Sequence, residues 1–148
     1  MTGWVWRSFD ELTADELYDI FVLRQTVFVV EQNCAYLDAD GVDRRSRHLY
    51  KRDESGRVIA YLRLVEPGVK YDEPSIGRVI THPSVRRTGV GRELMGEGLR
   101  GAAKYFPEAA IRIGAQRWAE NFYRSLGFES MGREYMEDDI PHVEMLRQ

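Results

Sequence analysis

Cysteine is almost missing from this chain of 148 residues, with Cys34 the only one. An internal disulfide is therefore excluded, and the composition suits a reducing, cytoplasmic setting. The three histidines, His48, His82 and His142, are scattered and no His-Glu-x-x-His pattern occurs, so no metal site is expected. No apolar run approaches the ~20 residues of a membrane span, and the start of the chain lacks the basic-then-apolar order of a signal segment. Neither sign of charge dominates: the net charge of −3 offers no broad basic field for nucleic acid. Repeats, low-complexity stretches and linkers are also missing. The expectation is one domain over residues 1–148, long enough to bury ~70% of its unfolded surface without covalent staples.

What is present is a block of arginine and glycine, Arg86-Arg87-Thr88-Gly89-Val90-Gly91. It follows a strand-like apolar run at 76–81 and opens an amphipathic segment at 90–106, so it falls at the start of a helix. Unpaired N–H groups and the positive end of the helix dipole make such a start an anion site, and glycines let the backbone close on a phosphate. A dinucleotide fingerprint would need a small residue where Leu94 stands, and the Gly-Lys-Ser/Thr ending of a Walker loop does not occur. A phosphate-bearing ligand of another kind is implied.

Around this block, residues 4–9 read as a strand, and Thr13-Ala14-Asp15-Glu16 as a capping box. The helix it starts runs to about Val29, with Leu17, Ile20, Phe21 and Phe28 on one stripe. Residues 33–45 form a polar, acidic loop. Two strands follow at 47–52 and 57–66, the second with Val58, Ala60, Leu62 and Leu64 on one face. The helix at 90–106 carries Gly96, Gly98 and Gly101, which propensity disfavours and close packing against a sheet would explain. A strand at 110–115, a short helix at 118–126 and strands at 128–132 and 143–146 complete the chain, suggesting a mixed sheet covered on both faces.

A second block, Ala119-Glu120-Asn121-Phe122-Tyr123-Arg124-Ser125-Leu126-Gly127-Phe128, lies just past the strand at 110–115. Together the two blocks resemble the GNAT superfamily of acyl-CoA-dependent N-acyltransferases. The segment from Leu23 through Phe28 to Gln32, the acidic loop at 37–43 with His48-Leu49 after it, and the stretch at 137–142 resemble its ElaA-like branch. The resemblance runs from about residue 10 onward. It implies an α/β fold of the α+β type, with a mixed, mostly antiparallel sheet of about six to seven strands and helices on both faces. It also implies acetyl-CoA as co-substrate, no metal, and a small-molecule or peptide amine as acceptor. Family habit allows a homodimer, while neither nucleic acid nor membrane is expected as a partner.

Carried onto this sequence, the resemblance assigns coenzyme pyrophosphate to the backbone of Arg87, Thr88, Gly89, Val90, Gly91 and Arg92, with Arg86 and Arg87 adding charge. Val79, Ile80 and Thr81 would pair with the pantetheine amides as an added strand does. Tyr123 is the expected general acid, protonating the thiolate that leaves when an amine attacks a thioester. Gln116 departs from the family's usual Asn, which leaves its coenzyme contact open and makes Asn121 the alternative. The attacking amine must lose a proton, and Glu31, His48, Glu134 and His142 are the candidate bases, with Glu31 and His142 placed first. An imidazole suits that task because histidine titrates near neutral pH. The acidic residues Asp38, Asp40, Asp43, Glu137, Asp138 and Asp139 admit two readings, a rim that attracts a cationic amine or plainly solvated loops. Cys34 has no activating pair nearby in sequence and is expected to be a simple free thiol, which favours direct transfer. The rival to an enzyme is a non-catalytic acyl-CoA-binding regulatory module.

Overall fold

A computed structural model describes residues 3–148, so the first two positions of the expected domain lie outside the described residues. Strand β1 (Trp4–Ser8) ends where Ser8 and Glu11 cap one another, and Thr13 and Glu16 repeat the device at the start of helix α1 (Ala14–Arg24). The expected helix to Val29 does not hold its form. From Gln25–Glu31 it widens into a π-helix, with bonds from the N–H of Gln32 to the carbonyl of Val27 (3.1 Å) and from Cys34 to Val29 (3.1 Å). Crowded β-branched side chains disfavour the tighter turn, and the Thr26 hydroxyl donates to the Val22 carbonyl (2.7 Å) within the ladder. The buried stripe is accordingly Ile20, Leu23 and Val27, while Leu17, Phe21 and Phe28 are only half-buried.

Strands β2 (Ser46–Arg52), β3 (Val58–Val65), β4 (Ser75–Thr81), β5 (Ile111–Gln116), β6 (Glu129–Glu137) and β7 (Ile140–Arg147) join β1 in one seven-stranded sheet ordered β1-β2-β3-β4-β5-β7-β6. Every neighbouring pair is antiparallel except β4 and β5. Helix α2 (Val90–Tyr105) covers one face, packing on Ala60, Leu62, Leu64, Ile76 and Ile113. Helix α1 covers the other, packing on Tyr50, Val58, Tyr61 and Ile80. β3 is buried at every residue because it lies between both layers. Val58 leaves the face expected for it, because the β2–β3 register shifts between Lys51 and Arg52.

The glycines of α2 have the expected use. A Cβ on Gly98 would stand 2.7 Å from Leu62, and one on Gly101 would collide with the Trp6 ring. The β6–β7 hairpin is longer than its expected strands, with Asp138 and Asp139 in the turn at φ 50° and 62°. β6 is exposed along nearly its whole length, so no apolar alternation marks it in the sequence.

Candidate active site

The parallel strands β4 and β5 meet at one register pair, Ser75 with Arg112. That end is pinned: the Arg112 N–H donates to the Pro74 carbonyl (3.1 Å), and its guanidinium donates to both carboxylate oxygens of Glu73 (2.9 Å each) and to Glu144 (2.7 Å). These bonds pull the Glu73 carboxyl down to about 2. Beyond the pin the strands diverge around a cavity of about 760 Å³, lined by Val79, Ile80 and Thr81 on one wall and by Ile113, Gly114, Ala115 and Gln116 on the other. β3 occupies only one edge of β4, so the other edge presents backbone groups to the cavity.

β4 also bulges, a feature that sequence reasoning missed. Its register against β3 shifts between Tyr61 and Arg63, and Arg78 adopts φ 50°. The adjacent Gly77 was the only signal available, and it is the arginine that takes the left-handed conformation. The side chain shows why: the Arg78 guanidinium donates to Asp38 (2.8 Å) and Asp40 (3.2 Å), which hold it in place.

At the mouth of the cavity the chain passes through Arg87 at φ 65° and Gly89 at φ 90° into α2. The N–H of Glu93 makes a bond to the Gly89 carbonyl (3.1 Å), leaving the N–H groups of Val90, Gly91 and Arg92 without helical acceptors. Arg86, Arg87 and Gly91 line the cavity. Arg87 makes no ion pair among the described residues, whereas Arg86 donates to both oxygens of Glu31 (2.5 and 2.6 Å). Thr88, Gly89, Val90 and Arg92 stand behind the lining. The Thr88 hydroxyl turns to the Val85 carbonyl, and the Arg92 guanidinium lies 5.4 Å from the Phe122 ring centre.

Tyr123 belongs to the short helix α3 (Glu120–Arg124) and lines the cavity. Its ring packs edge-on against Phe122 and Phe128, at 5.3 and 5.9 Å between centroids. Burial raises its pKa, so the hydroxyl stays protonated, and that hydroxyl makes no hydrogen bond to any described residue. His142 lines the same cavity from β7, stacked on Tyr135. A carbonyl oxygen only accepts, so the 2.7 Å contact from Nδ1 to the Ile140 carbonyl places the proton on Nδ1. Nε2 lies 3.4 Å from a carboxylate oxygen of Glu137, which forms an ion pair with the ring whenever the imidazole is protonated.

The other candidate bases are placed differently. Hydrogen bonding from Arg86 lowers the pKa of Glu31, which makes it a fixing partner for that arginine and a poor proton acceptor. His48 is buried away from the cavity with Nδ1 on the Tyr61 hydroxyl (2.6 Å) and Nε2 on the Asp43 carbonyl (2.9 Å), so neither nitrogen is free. Glu134 is exposed on β6 and paired with Arg117. Gln116 does line the cavity, but its carbonyl oxygen accepts from the Trp118 indole (2.5 Å) and its amide lies 3.5 Å from that of Gln32. Asn121 is exposed on α3 and does not line the cavity.

Neither reading of the acidic loop holds for the buried Asp38 and Asp43, and Asp40, though exposed, is paired with Arg63 and Arg78. Arg24, fully buried, donates to Asp38 and Asp43 (2.7 Å each), and Arg63 donates to Asp40 (2.7 Å) and Asp43 (3.0 Å). With Arg78 these side chains form a balanced cluster of charges that ties the loop to α1, β3 and β4. Burial alone would raise the pKa of Asp43, but the bonds from Arg24 and Arg63 reverse this and lower it. Their arginine partners lie far off in sequence, which is why the pairing was not legible there. Cys34 lines the cavity and its thiol donates to the Asp138 carbonyl (3.4 Å).

A family model described as an acetyltransferase (GNAT) domain matches residues 27–148. Protein ElaA of Escherichia coli K12 is 38% identical to this chain, over all of it and 97% of that protein. The crystal structure of an acyl-CoA N-acyltransferase from Pseudomonas aeruginosa superposes with a TM-score of 0.92 at 36% identity, covering 98% of this chain and 99% of that one. That of E. coli ElaA superposes with a TM-score of 0.91 at 36% identity, covering 98% of both chains.

Proposed function

This chain belongs to the ElaA-like branch of the GNAT acetyltransferase family and is an N-acyltransferase, and from that premise we propose that it moves an acetyl group from acetyl-CoA directly to a primary amine. The observation that carries the reading is the parting of β4 from β5. One cavity thereby runs from the N-terminus of α2, past the open edge of β4, to Tyr123 and His142. The pyrophosphate would lie at the free N–H groups of Val90, Gly91 and Arg92, with Arg87 adding an uncommitted charge. The pantetheine amides would pair with the backbone of Val79, Ile80 and Thr81.

His142 Nε2 takes the proton that the ammonium must lose, and Glu137 stabilises the imidazolium formed. The amine nitrogen then bonds to the thioester carbonyl carbon and the carbon–sulfur bond breaks. Tyr123 gives its proton to the leaving thiolate, and the second proton shed by the attacking nitrogen restores the phenol, so that free coenzyme departs as a thiol and the product as a neutral amide. Thiol release from acetyl-CoA across a panel of amines, with coenzyme affinity by calorimetry, tests this. Amine-dependent release is expected; tight coenzyme binding without release from any amine would overturn it.

A further inference from the structure

We propose that the acceptor is a primary amine that also carries a carboxylate, and that Lys70 receives that carboxylate. The inference rests on the transferase reading and names its substrate class. It follows from the charges left over once the cavity's own pairs are made. Glu31 is committed to Arg86, while Arg63 and Arg78 are committed to Asp38, Asp40 and Asp43. The loop at 37–43 therefore holds no spare charge with which to attract a polyamine, and the one lining carboxylate without an ion pair among the described residues is Asp138, in the β6–β7 turn, where it can face the amine.

Two lining cations remain without an ion pair among the described residues, Arg87 at the coenzyme mouth and Lys70 on the β3–β4 connection. Lys70 stands at the other end of the cavity, where its charged neighbours are Glu137, Arg63, Arg78 and Asp40. Glu137 is not bonded to it and reaches His142 instead. Arg63, 1% exposed, also borders the cavity, and its Nε–H is a buried donor with no partner among the described residues. The cavity lining thus offers an ammonium without an ion pair among the described residues, together with a base that has its own carboxylate. A zwitterion complements that arrangement, its carboxylate toward Lys70 and its amine toward His142. A diamine would set a second cation against Lys70 and Arg63.

Matched pairs separate this from the function on which it rests. Turnover would be measured for free amino acids against their methyl esters, lysine against cadaverine, and lysine-ending tripeptides with free against amidated C-termini. Free acids should be preferred, and the tripeptides tell a free amino acid from a peptide end as the source of the carboxylate. Lys70→Met should raise KM for the acids by several-fold to about tenfold, since a solvent-reached ion pair seldom contributes more. The preference over esters should collapse with little change in kcat, and Lys70→Arg should restore much of it. Esters and diamines used as well as acids, or an unchanged acid preference in Lys70→Met, would overturn the carboxylate assignment while leaving the transferase intact. No release from any amine, with coenzyme still bound, would overturn the transferase and this inference together.

Discussion

A phenol can protonate a thiolate only while it remains a phenol, and at Tyr123 burial secures that by raising its pKa. Tyr123→Phe keeps the ring and its edge-on contacts with Phe122 and Phe128 but removes the proton. We expect kcat to fall by ~10²–10⁴, the usual contribution of a positioned acid, with coenzyme affinity intact by calorimetry. His142→Gln should bring a comparable loss, because the imidazole that the Ile140 carbonyl orients is removed. A stopped assay at several pH values checks it: the basic limb, where free amine needs no base, should recover part of the rate. Tyr123 and the arginine–glycine block were legible in the sequence because their chemistry is local. The pairs that engage Glu31, His48 and Glu134 were not, since Arg86, Tyr61 and Arg117 stand 55, 13 and 17 residues away.

At the scale of the element, two glycines of α2 that look alike should behave in opposite ways. A Cβ at Gly96 would meet only the flexible tip of Arg100, at 3.6 Å, so Gly96→Ala should gain about 0.5–1 kcal/mol through helix propensity. At Gly101 the same methyl would enter the Trp6 ring, and Gly101→Ala should lose about 1–3 kcal/mol to overpacking. Urea melts of the two variants decide both signs. Arg24, on α1, offers a harsher test. Replaced by Met, it leaves Asp38 and Asp43 buried with fewer partners, and a loss of about 3–5 kcal/mol is expected in the same melts. Helix starts could be read from the chain because capping is local. The π-helical widening at Gln25–Glu31, the bulge at Arg78 and the exposed length of β6 could not, because none has a periodic signature.

Taken whole, the molecule is held in shape by carboxylates whose pKa values are depressed. Glu73 at the strand pin, Asp40 and Asp43 in the arginine–aspartate cluster and Glu16 at the start of α1 are all lowered, with Arg112, Arg63, Arg24 and Thr13 among the groups that hold them down. A depressed carboxylate adds stability that is fully present above its ordinary pKa and is lost as pH falls through its folded value. Stability should therefore be steady near neutral pH and decline from about pH 4.5 toward 2. Thermal melts across that range check it, and Glu73→Gln should flatten part of the slope. No described helix is long and apolar enough to cross a membrane.

The sequence by itself determined whatever depends on neighbours a few residues apart. It set the order of strands and helices, the caps, the glycine-rich start of α2 and the motif that carries Tyr123. Only the tertiary structure decided which charges cancel and which remain. Whether a carboxylate is a base, a rim or a buried strut depends on the group a folded chain brings within about 3 Å of it, and Coulomb energies change steeply over that range. So the acidic loop became a strut, Glu31 became the partner of Arg86, His142 came to lie between the Ile140 carbonyl and the Glu137 carboxylate, and Lys70 was left without an ion pair among the described residues in the opening between β4 and β5.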